Sequence, residues 1–428
     1  MLIHTPNCIF YTRAGSVPHL TQDVLDTLVQ SSDKLALHLA LDQFWDLIEP
    51  ATDFKTAHIN KRKRKLSESG QLLNKTAVLD DAAEQPPIVK HQPRHHIPTL
   101  HSYISSSNIL IMTPRDLFDV THEAPFPKTA RAPNLINSDN TISGQKLNGH
   151  VIKIGTLEYM KAILKLNPDI CTPLCDFFST QRADDKINKA KRIRKSVERN
   201  LKFLDLSLEQ MRDILSTNGH TVVDDRSNNE PRPALFAVCG GYDDPIGREF
   251  SAKESAKRNV AGFLIPLNKY SALPVSELLR LTTRHLPAGK PRFVAGLGSF
   301  EDVHMAITTG AADLVSLEFL YLHAENGEAL IFCPEPSFEA PSTGLVSPST
   351  PSSLTTPVPK TELLSLIDGK YKREFIPLQQ GCACFACENH TRSYIHHLLL
   401  TKEMLGQVLL SLHNYAGVQR WISSLRVK

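Results

Sequence analysis

Three cysteines and a following histidine make the chemically richest stretch of the chain. Cys382, Cys384 and Cys387 follow a C-x-C-x-x-C spacing, which lets three soft sulfur ligands converge on one tetrahedral ion and indicates zinc. A fourth ligand is needed, and the downstream histidines that could supply it are His390, His396, His397 and His413. Spacing alone does not choose among them. We favour His413, because it can return on a helix that packs against the turn.

Such a zinc ion would be structural. A shell filled by four protein ligands leaves no position for a reactive water, so the metal would hold the fold together, with one Zn²⁺ per subunit. The alternative is an ordinary loop with three reduced cysteines. Three of the 8 cysteines within six positions, followed by histidines, favour the zinc interpretation.

Composition predicts a folded intracellular protein with room for a large domain and a smaller one. The chain has 428 residues, 41% of them hydrophobic, and a formal charge of +3, so a nucleic-acid surface would have to come from local patches. The other cysteines form no regular framework, which fits a reducing compartment. The first twenty residues lack the apolar core of a signal peptide, and no run reaches the length of a membrane-spanning helix.

The elements that would carry these residues follow an α/β pattern. Short apolar strands are predicted at 234–238, 262–266, 292–296 and 312–317, and each of the first three precedes a helix-compatible segment. Alternating strands and helices imply parallel pairing through right-handed crossovers. The repetition favours a (β/α)8 TIM-type barrel over an open sheet, although periodicity leaves both open. No glycine-rich phosphate-binding fingerprint stands between a strand and a helix.

Two segments are predicted to be insertions that build no core. Residues 58–98 contain the basic run 61–65, which suggests a disordered loop, with a nuclear address or an RNA contact as alternatives. Residues 334–360 are rich in Pro, Ser and Thr, which predicts a flexible insertion. Residues 120–148 are expected to form loops. Residues 186–206 form the most basic ordered stretch and are predicted to be a helix whose positive face is either solvated or contacts RNA.

Long strings of this sequence resemble the tRNA-guanine transglycosylases. The cysteine turn with its histidine resembles their zinc site, and CGGYDDPIGREFSAKESAKRNVAGFLI and KPRFVAGLGSFEDV resemble their central barrel units. The resemblance implies a (β/α)8 barrel with a zinc-binding subdomain, and it assigns zinc to Cys382, Cys384, Cys387 and His413. We therefore predict a barrel over 1–333, the flexible insertion at 334–360, and the zinc-binding subdomain with terminal helices over 361–428.

The resemblance breaks where the family keeps its catalytic groups. Active members carry a nucleophilic aspartate in a G-x-D-x-F-D-C-V-x-P-T-R stretch, and alignment from Gly310 puts Ser316 at that aspartate. The Thr-Arg pair is replaced by Tyr321 and Leu322. No T-D-S-G-G-F-Q string occurs in residues 90–130, and IPLNKY replaces the G-G-L-A loop.

Nearby carboxylates do not offer an obvious replacement. Strand alternation is expected to turn Asp313, at an odd offset from Ser316, away from the pocket, and Glu318 is expected to lie two residues deeper or shallower along the strand. Gly240-Gly241 and Asp243-Asp244 are expected to form a turn, with a pocket floor as the alternative. No catalytic and no cofactor-binding residue is assigned.

The resemblance thus implies a non-catalytic subunit that positions tRNA and stabilises the catalytic queuine tRNA-ribosyltransferase subunit in a heterodimer. The complex would exchange guanine for queuine at the wobble position of tRNA. An active transglycosylase with relocated carboxylates and a zinc-stapled scaffold without an RNA role remain as alternatives, and a homodimer stays open. A cytoplasmic location is expected, and peripheral association with the mitochondrial outer membrane is suggested by the resemblance.

Overall fold

The computed structural model describes most of the chain outside the sequence-predicted insertions. The described ranges are 4–13, 15–28, 34–44, 108–117, 141–145, 151–177, 186–217, 233–268, 271–333 and 359–426. The basic run 61–65 and nearly all of the Pro/Ser/Thr-rich insertion lie outside these residues.

Eight parallel strands close into a barrel, which confirms the predicted TIM-type fold. Around the barrel they are β1 (Asn7–Tyr11), β2 (Ala36–Ala40), β3 (Ile109–Thr113), β6 (Ile170–Cys171), β7 (Ala234–Val238), β8 (Gly262–Pro266), β9 (Arg292–Ala295) and β10 (Leu314–Ser316). Pairing of β1 with both β2 and β10 closes the ring.

Helices cover the outside of the barrel between the strands. They are α1 (Gln22–Leu28), α2 (Thr156–Leu166), α3 (Lys186–Thr217), α4 (Pro245–Ala256), α5 (Val275–Thr283), α6 (Phe300–Thr308) and α7 (Glu318–Glu325). Side-chain caps begin α4 and α6. Asp244 accepts a hydrogen bond from the backbone N–H of Gly247, and Ser299 accepts one from that of Asp302.

Strand alternation separates two hydrophobic cores. Ile9, Ile111 and Leu314 belong to the core inside the barrel, whereas Phe10 and Met112 pack outward against the helices. Because successive strand residues point to opposite faces, a residue two positions beyond Leu314 also faces the barrel interior. Ser316 is that residue.

A hairpin also interrupts the region that we expected to form loops. Strands β4 (Thr141–Gln145) and β5 (Val151–Gly155) pair in antiparallel fashion, so the prediction of loops over 120–148 is wrong at 141–145. The sequence signal for a strand is weak there, because strands are marked by β-branched and aromatic residues, and Ser143, Gly144 and Gln145 are neither.

The C-terminal part packs directly on the barrel. It consists of the antiparallel pair β11 (Glu328–Phe332) and β12 (Thr361–Ser365), followed by α8 (Phe385–Asn389), α9 (Arg392–Leu400) and α10 (Met404–Arg426). Tyr415 of α10 stacks on Phe10 of β1 with ring centroids 4.8 Å apart. Within the described ranges, no helix combines the length and the hydrophobicity that a membrane span needs.

Candidate metal site and barrel mouth

The four residues predicted to bind zinc come together in the C-terminal part. Cys382 and Cys384 lie in the turn that precedes α8, Cys387 lies in α8, and His413 lies in the middle of α10. Gly381 begins this turn with a φ of 72°, a conformation that glycine adopts without strain. All four side chains are buried, and their candidate ligand atoms lie within 4.8 Å of one another.

The distances fit tetrahedral coordination. The Nδ1 atom of His413 lies 3.8, 3.5 and 3.3 Å from the sulfurs of Cys382, Cys384 and Cys387. Metal–sulfur bonds of about 2.3 Å and a metal–nitrogen bond of about 2.0 Å would place the ligand atoms roughly 3.5 to 3.8 Å apart. Three thiols and one imidazole in this arrangement are the donors that zinc prefers.

The other candidate histidines are engaged elsewhere. The ring of His390 stacks on Tyr394, and the Nδ1 atom of His396 lies 2.7 Å from the carbonyl oxygen of Leu366. The side chain of His397 is exposed. Of the four candidate histidines, His413 is the one that lies against the three sulfurs.

Surrounding groups orient the cluster and shift its pKa values. The Nε2 atom of His413 lies 3.1 Å from the carbonyl oxygen of Leu330, which directs Nδ1 towards the sulfurs. Arg420 donates from Nη2 to the sulfur of Cys382 at 2.9 Å. Hydrogen bonds with Cys384 and Cys387 lower the pKa of Cys382. Burial lowers the pKa of His413, but hydrogen bonds with Cys382 and Cys384 outweigh it and raise that pKa to about 9.

Ser316 ends β10 at the carboxyl face of the barrel, the face on which active sites form in this fold. It is 2% exposed, and its hydroxyl donates a hydrogen bond to the carboxylate of Glu318. Our expectation that Glu318 lies two residues along the same strand is wrong, because the strand ends at Ser316 and Glu318 is the first residue of α7. The helical turn brings its carboxylate back to Ser316. Burial raises the pKa of this carboxyl group.

Asp313 lies at the opposite end of the same strand. Its carboxylate accepts a hydrogen bond from the backbone N–H of Arg292 at 2.8 Å, where β9 begins. This contact belongs to the amino face of the barrel, so Asp313 cannot act at the carboxyl face.

Two further acids at the carboxyl face escaped the sequence analysis. Asp116 follows β3 and accepts hydrogen bonds from Tyr11 at 2.9 Å and from Gln43 at 2.8 Å. Asp176, beyond β6, is fully buried and pairs with Arg192 at 3.1 Å and with Arg199 at 2.9 Å. Recognition of β3 and β6 as strands would have placed both acids at the strand ends.

A pocket opens beside these groups, between α3 and the ends of β7 and β8. Asp176, Asn200, Gly240, Gly241 and Arg248 contribute to its lining. The Gly-Gly-x-Asp-Asp segment both forms the expected turn and lines this pocket. Gly241 has a φ of 120°, and a Cβ there would come within 2.5 Å of the backbone nitrogen of Arg248.

Comparison with known proteins agrees with this architecture. The family model of queuine tRNA-ribosyltransferase matches residues 86–428, which include both the C-terminal cluster and most of the barrel. The chain belongs to this family. Individual relatives extend the similarity to the amino-terminal strands that the family model does not include.

Several relatives of the queuine tRNA-ribosyltransferase family match nearly the whole chain. A Xenopus tropicalis protein is 28% identical over 442 residues, covering 99% of this chain and 89% of the relative. A Trichoplax adhaerens protein is 29% identical, covering 96% and 85%. A human protein is 34% identical over 243 residues, covering 53% and 55%. Each is named queuine tRNA-ribosyltransferase accessory subunit 2.

Proposed function

We propose that this chain is a non-catalytic subunit of a heteromeric queuine tRNA-ribosyltransferase and supports exchange of guanine for queuine at the wobble position of tRNA. The observation that carries the proposal is the match to accessory subunits over 99% of the chain. The catalytic subunit would perform the chemistry, while this chain would stabilise it and position the tRNA.

The groups at the barrel mouth support a non-catalytic role. Base exchange at a glycosidic bond uses a carboxylate nucleophile that forms a covalent ribosyl intermediate. At the proposed nucleophile position this chain has Ser316, whose hydroxyl is already bonded to Glu318. Asp116 and Asp176 are likewise held by protein donors, so their oxygens are committed to structure.

One observation favours a second candidate, an active transglycosylase that uses Glu318. The carboxylate of Glu318 lies beside the position expected for the nucleophile. However, Glu318 is 1% exposed, and burial raises its pKa and thereby disfavours the ionised form. Exchange by this chain alone that is abolished in Glu318→Gln would establish this candidate.

We assign Zn²⁺ to Cys382, Cys384, Cys387 and His413, one ion per subunit. Bound there, zinc would supply no reactive position, because the four protein ligands complete its shell. It would instead link the turn before α8 to the middle of α10. Metal analysis of the purified chain tests this assignment, with one equivalent of zinc in the wild type and less in Cys384→Ser.

An exposed aromatic surface beside this site is the proposed contact with the catalytic subunit. We define the aromatic surface as Phe375, Ile376, Phe385, His390 and Tyr394. Phe375 is 76% exposed and Phe385 is 54% exposed. The rings of Phe385, His390 and Tyr394 contact one another in sequence, and backbone hydrogen bonds join 374–376 to the start of α9. Clustered aromatic side chains are typical of the energetic centre of a protein interface.

The pairing is tested with variants of the aromatic surface. We expect Phe375→Asp and Tyr394→Asp each to weaken binding of the catalytic subunit by about tenfold or more, because a charge would be buried at the contact. Ile246→Asp on α4 is the matched control, since Ile246 is 80% exposed and lies outside this surface. Equal affinities for all three variants and the wild type would contradict the assignment. Self-association of the chain that Phe375→Asp disrupts would instead indicate a homodimer.

The location proposed for the complex is the cytoplasm, with peripheral association at the mitochondrial outer membrane. This proposal rests on the family resemblance. Cell fractionation followed by an alkaline wash tests it: a peripheral protein leaves the membrane fraction on washing, and absence from mitochondrial fractions would contradict the association.

A further inference from the structure

The exposed positive charge of the long helix α3 is concentrated towards its amino end. The exposed basic residues there are Lys191, Arg194, Lys195 and Lys202, whereas Arg212 stands apart near the carboxyl end. The exposed acidic residues are Glu198, which lies among the basic residues, and Asp205, Glu209 and Asp213, which follow them.

The arginines in this half are already engaged. Arg192 and Arg199 reach inward to the buried Asp176, and Arg194 pairs with Glu198 at 3.2 Å. These contacts fix the helix on the barrel and satisfy the guanidinium groups. They also mean that the basic sequence run overstates the charge available to a partner.

Three lysines differ from the arginines. Lys191, Lys195 and Lys202 are exposed, and none of them has an ion-pair or hydrogen-bond partner for its side chain among the residues that the structure describes. Their spacing of four and seven residues places them along one stripe of the helix. With a rise of about 1.5 Å per residue the stripe is roughly 17 Å long, which spans about five phosphates along one strand of a duplex at about 3.4 Å each.

The stripe begins near the carboxyl face of the barrel. Asp176 lies beyond the carboxyl end of β6 and contacts Arg192, Ser196 and Arg199, so this half of α3 lies near the rim of the barrel mouth. The stripe also contains Glu198, whose carboxylate pairs with Arg194, and it carries none of the large exposed hydrophobic side chains. A protein partner would be expected to need apolar contacts at the centre of its interface, whereas a phosphate backbone needs only positive charge.

We propose that Lys191, Lys195 and Lys202 form a track that binds the phosphate backbone of tRNA. This inference rests on the proposed accessory function and assigns the RNA contact to particular side chains. Lysine acts here as a flexible point charge, which suits contact with the backbone and gives no base specificity. The track holds the tRNA, and the catalytic subunit reads and exchanges the base.

The test uses the triple variant Lys191→Gln, Lys195→Gln, Lys202→Gln in complex with the catalytic subunit. We expect its affinity for a cognate tRNA to fall about tenfold or more at roughly 0.1 M salt, because three phosphate contacts are lost. The slope of log affinity against log salt should become shallower by about two to three. In exchange assays the KM for tRNA should rise while kcat at saturating tRNA stays unchanged.

The matched control is Lys153→Gln, Lys161→Gln, Lys165→Gln, which removes the same charge from exposed lysines on β5 and α2. An affinity and salt slope that are unchanged in the α3 variant, or reduced equally in both triple variants, would overturn the phosphate track. Failure of the proposed function is distinguishable, because the wild-type chain would then neither bind the catalytic subunit nor stimulate exchange. Wild-type stimulation with an unchanged α3 variant would overturn the track alone.

Discussion

Arg420 is the side chain that links the charge of the metal site to its surroundings. With the proposed Zn²⁺ bound, three thiolates, a neutral imidazole and the ion would carry a net charge of −1, and Arg420 donates to the sulfur of Cys382 at 2.9 Å. Charge-assisted hydrogen bonds of this kind are stronger than neutral ones. The guanidinium should therefore lower the tendency of Cys382 to take up a proton and release the metal.

We expect Arg420→Ala to weaken zinc binding by about ten- to hundredfold, the range typical of lost outer-shell partners. The rate of zinc transfer to a colorimetric chelator measures this directly. Lys372→Ala is the control, because it removes an exposed positive charge from the same subdomain. Equal transfer rates for the two variants would show that Arg420 does not stabilise the site.

The burial of Glu318 predicts that the stability of the protein depends on pH. Burial raises its folded-state pKa above the ordinary 4.5. The carboxyl group therefore destabilises the fold, and this destabilisation is absent below pH 4.5 and grows as pH rises towards the folded-state pKa. Glu318→Gln keeps an acceptor for Ser316 and removes this cost. The melting temperature of Glu318→Gln minus that of the wild type should therefore be larger at pH 8 than at pH 5. A difference that is the same at both pH values would contradict the buried charge.

At the scale of elements, Asp176 fixes α3 to the barrel. Its carboxylate is fully buried and joins two arginines of the helix, while the side chain of Asn200 accepts from its backbone N–H at 2.6 Å. We expect Asp176→Asn to destabilise the protein by about 3 kcal/mol or more, because two guanidinium groups lose their buried partner.

Chemical denaturation measures this effect, and hydrogen exchange should locate it in α3. Asp205→Asn is the control: Asp205 pairs with Arg258 at 2.7 Å but is 54% exposed, so its loss should cost less than about 1 kcal/mol. A similar small cost for both variants would mean that Asp176 does not anchor the helix.

The accuracy of the sequence predictions differed among elements for physical reasons. β7 and β8 lie between turn residues, and their observed bounds are those predicted from the sequence. β6 has only two residues, which is too short for a periodic signal. α7 was missed because it starts immediately after a buried strand, and that omission produced the wrong expectation for Glu318.

The residues of the candidate metal site could be predicted from ligand chemistry. The groups that surround them are set by tertiary contacts and could not be predicted. Three cysteines at coordination spacing predict a metal site, and a helix can bring one histidine back to the three sulfurs. Arg420 lies 38 residues from its partner Cys382, and Leu330 lies 83 residues from its partner His413, and such long-range contacts leave no local pattern. The same holds for Tyr11 and Asp116, which lie 105 residues apart.

At the scale of the whole molecule, the barrel and the C-terminal part would serve different contacts. At the carboxyl face of the barrel Ser316, Asp116 and Asp176 are paired with other side chains, and the basic stripe of α3 lies beside this face. The aromatic surface lies on the C-terminal part, which α10 holds against β1 and α7. One partner could therefore occupy the aromatic surface while tRNA lies along α3. The proposed function thus requires a barrel without its own chemistry, a structural metal and two separate binding surfaces.

The most direct test of the accessory role is incorporation of labelled guanine into a cognate tRNA by this chain alone, by the catalytic subunit alone, and by the two mixed. The account predicts turnover only in the mixture, or turnover much above that of the catalytic subunit alone. Turnover by this chain alone would contradict it and would direct attention to Glu318 at the mouth of the barrel.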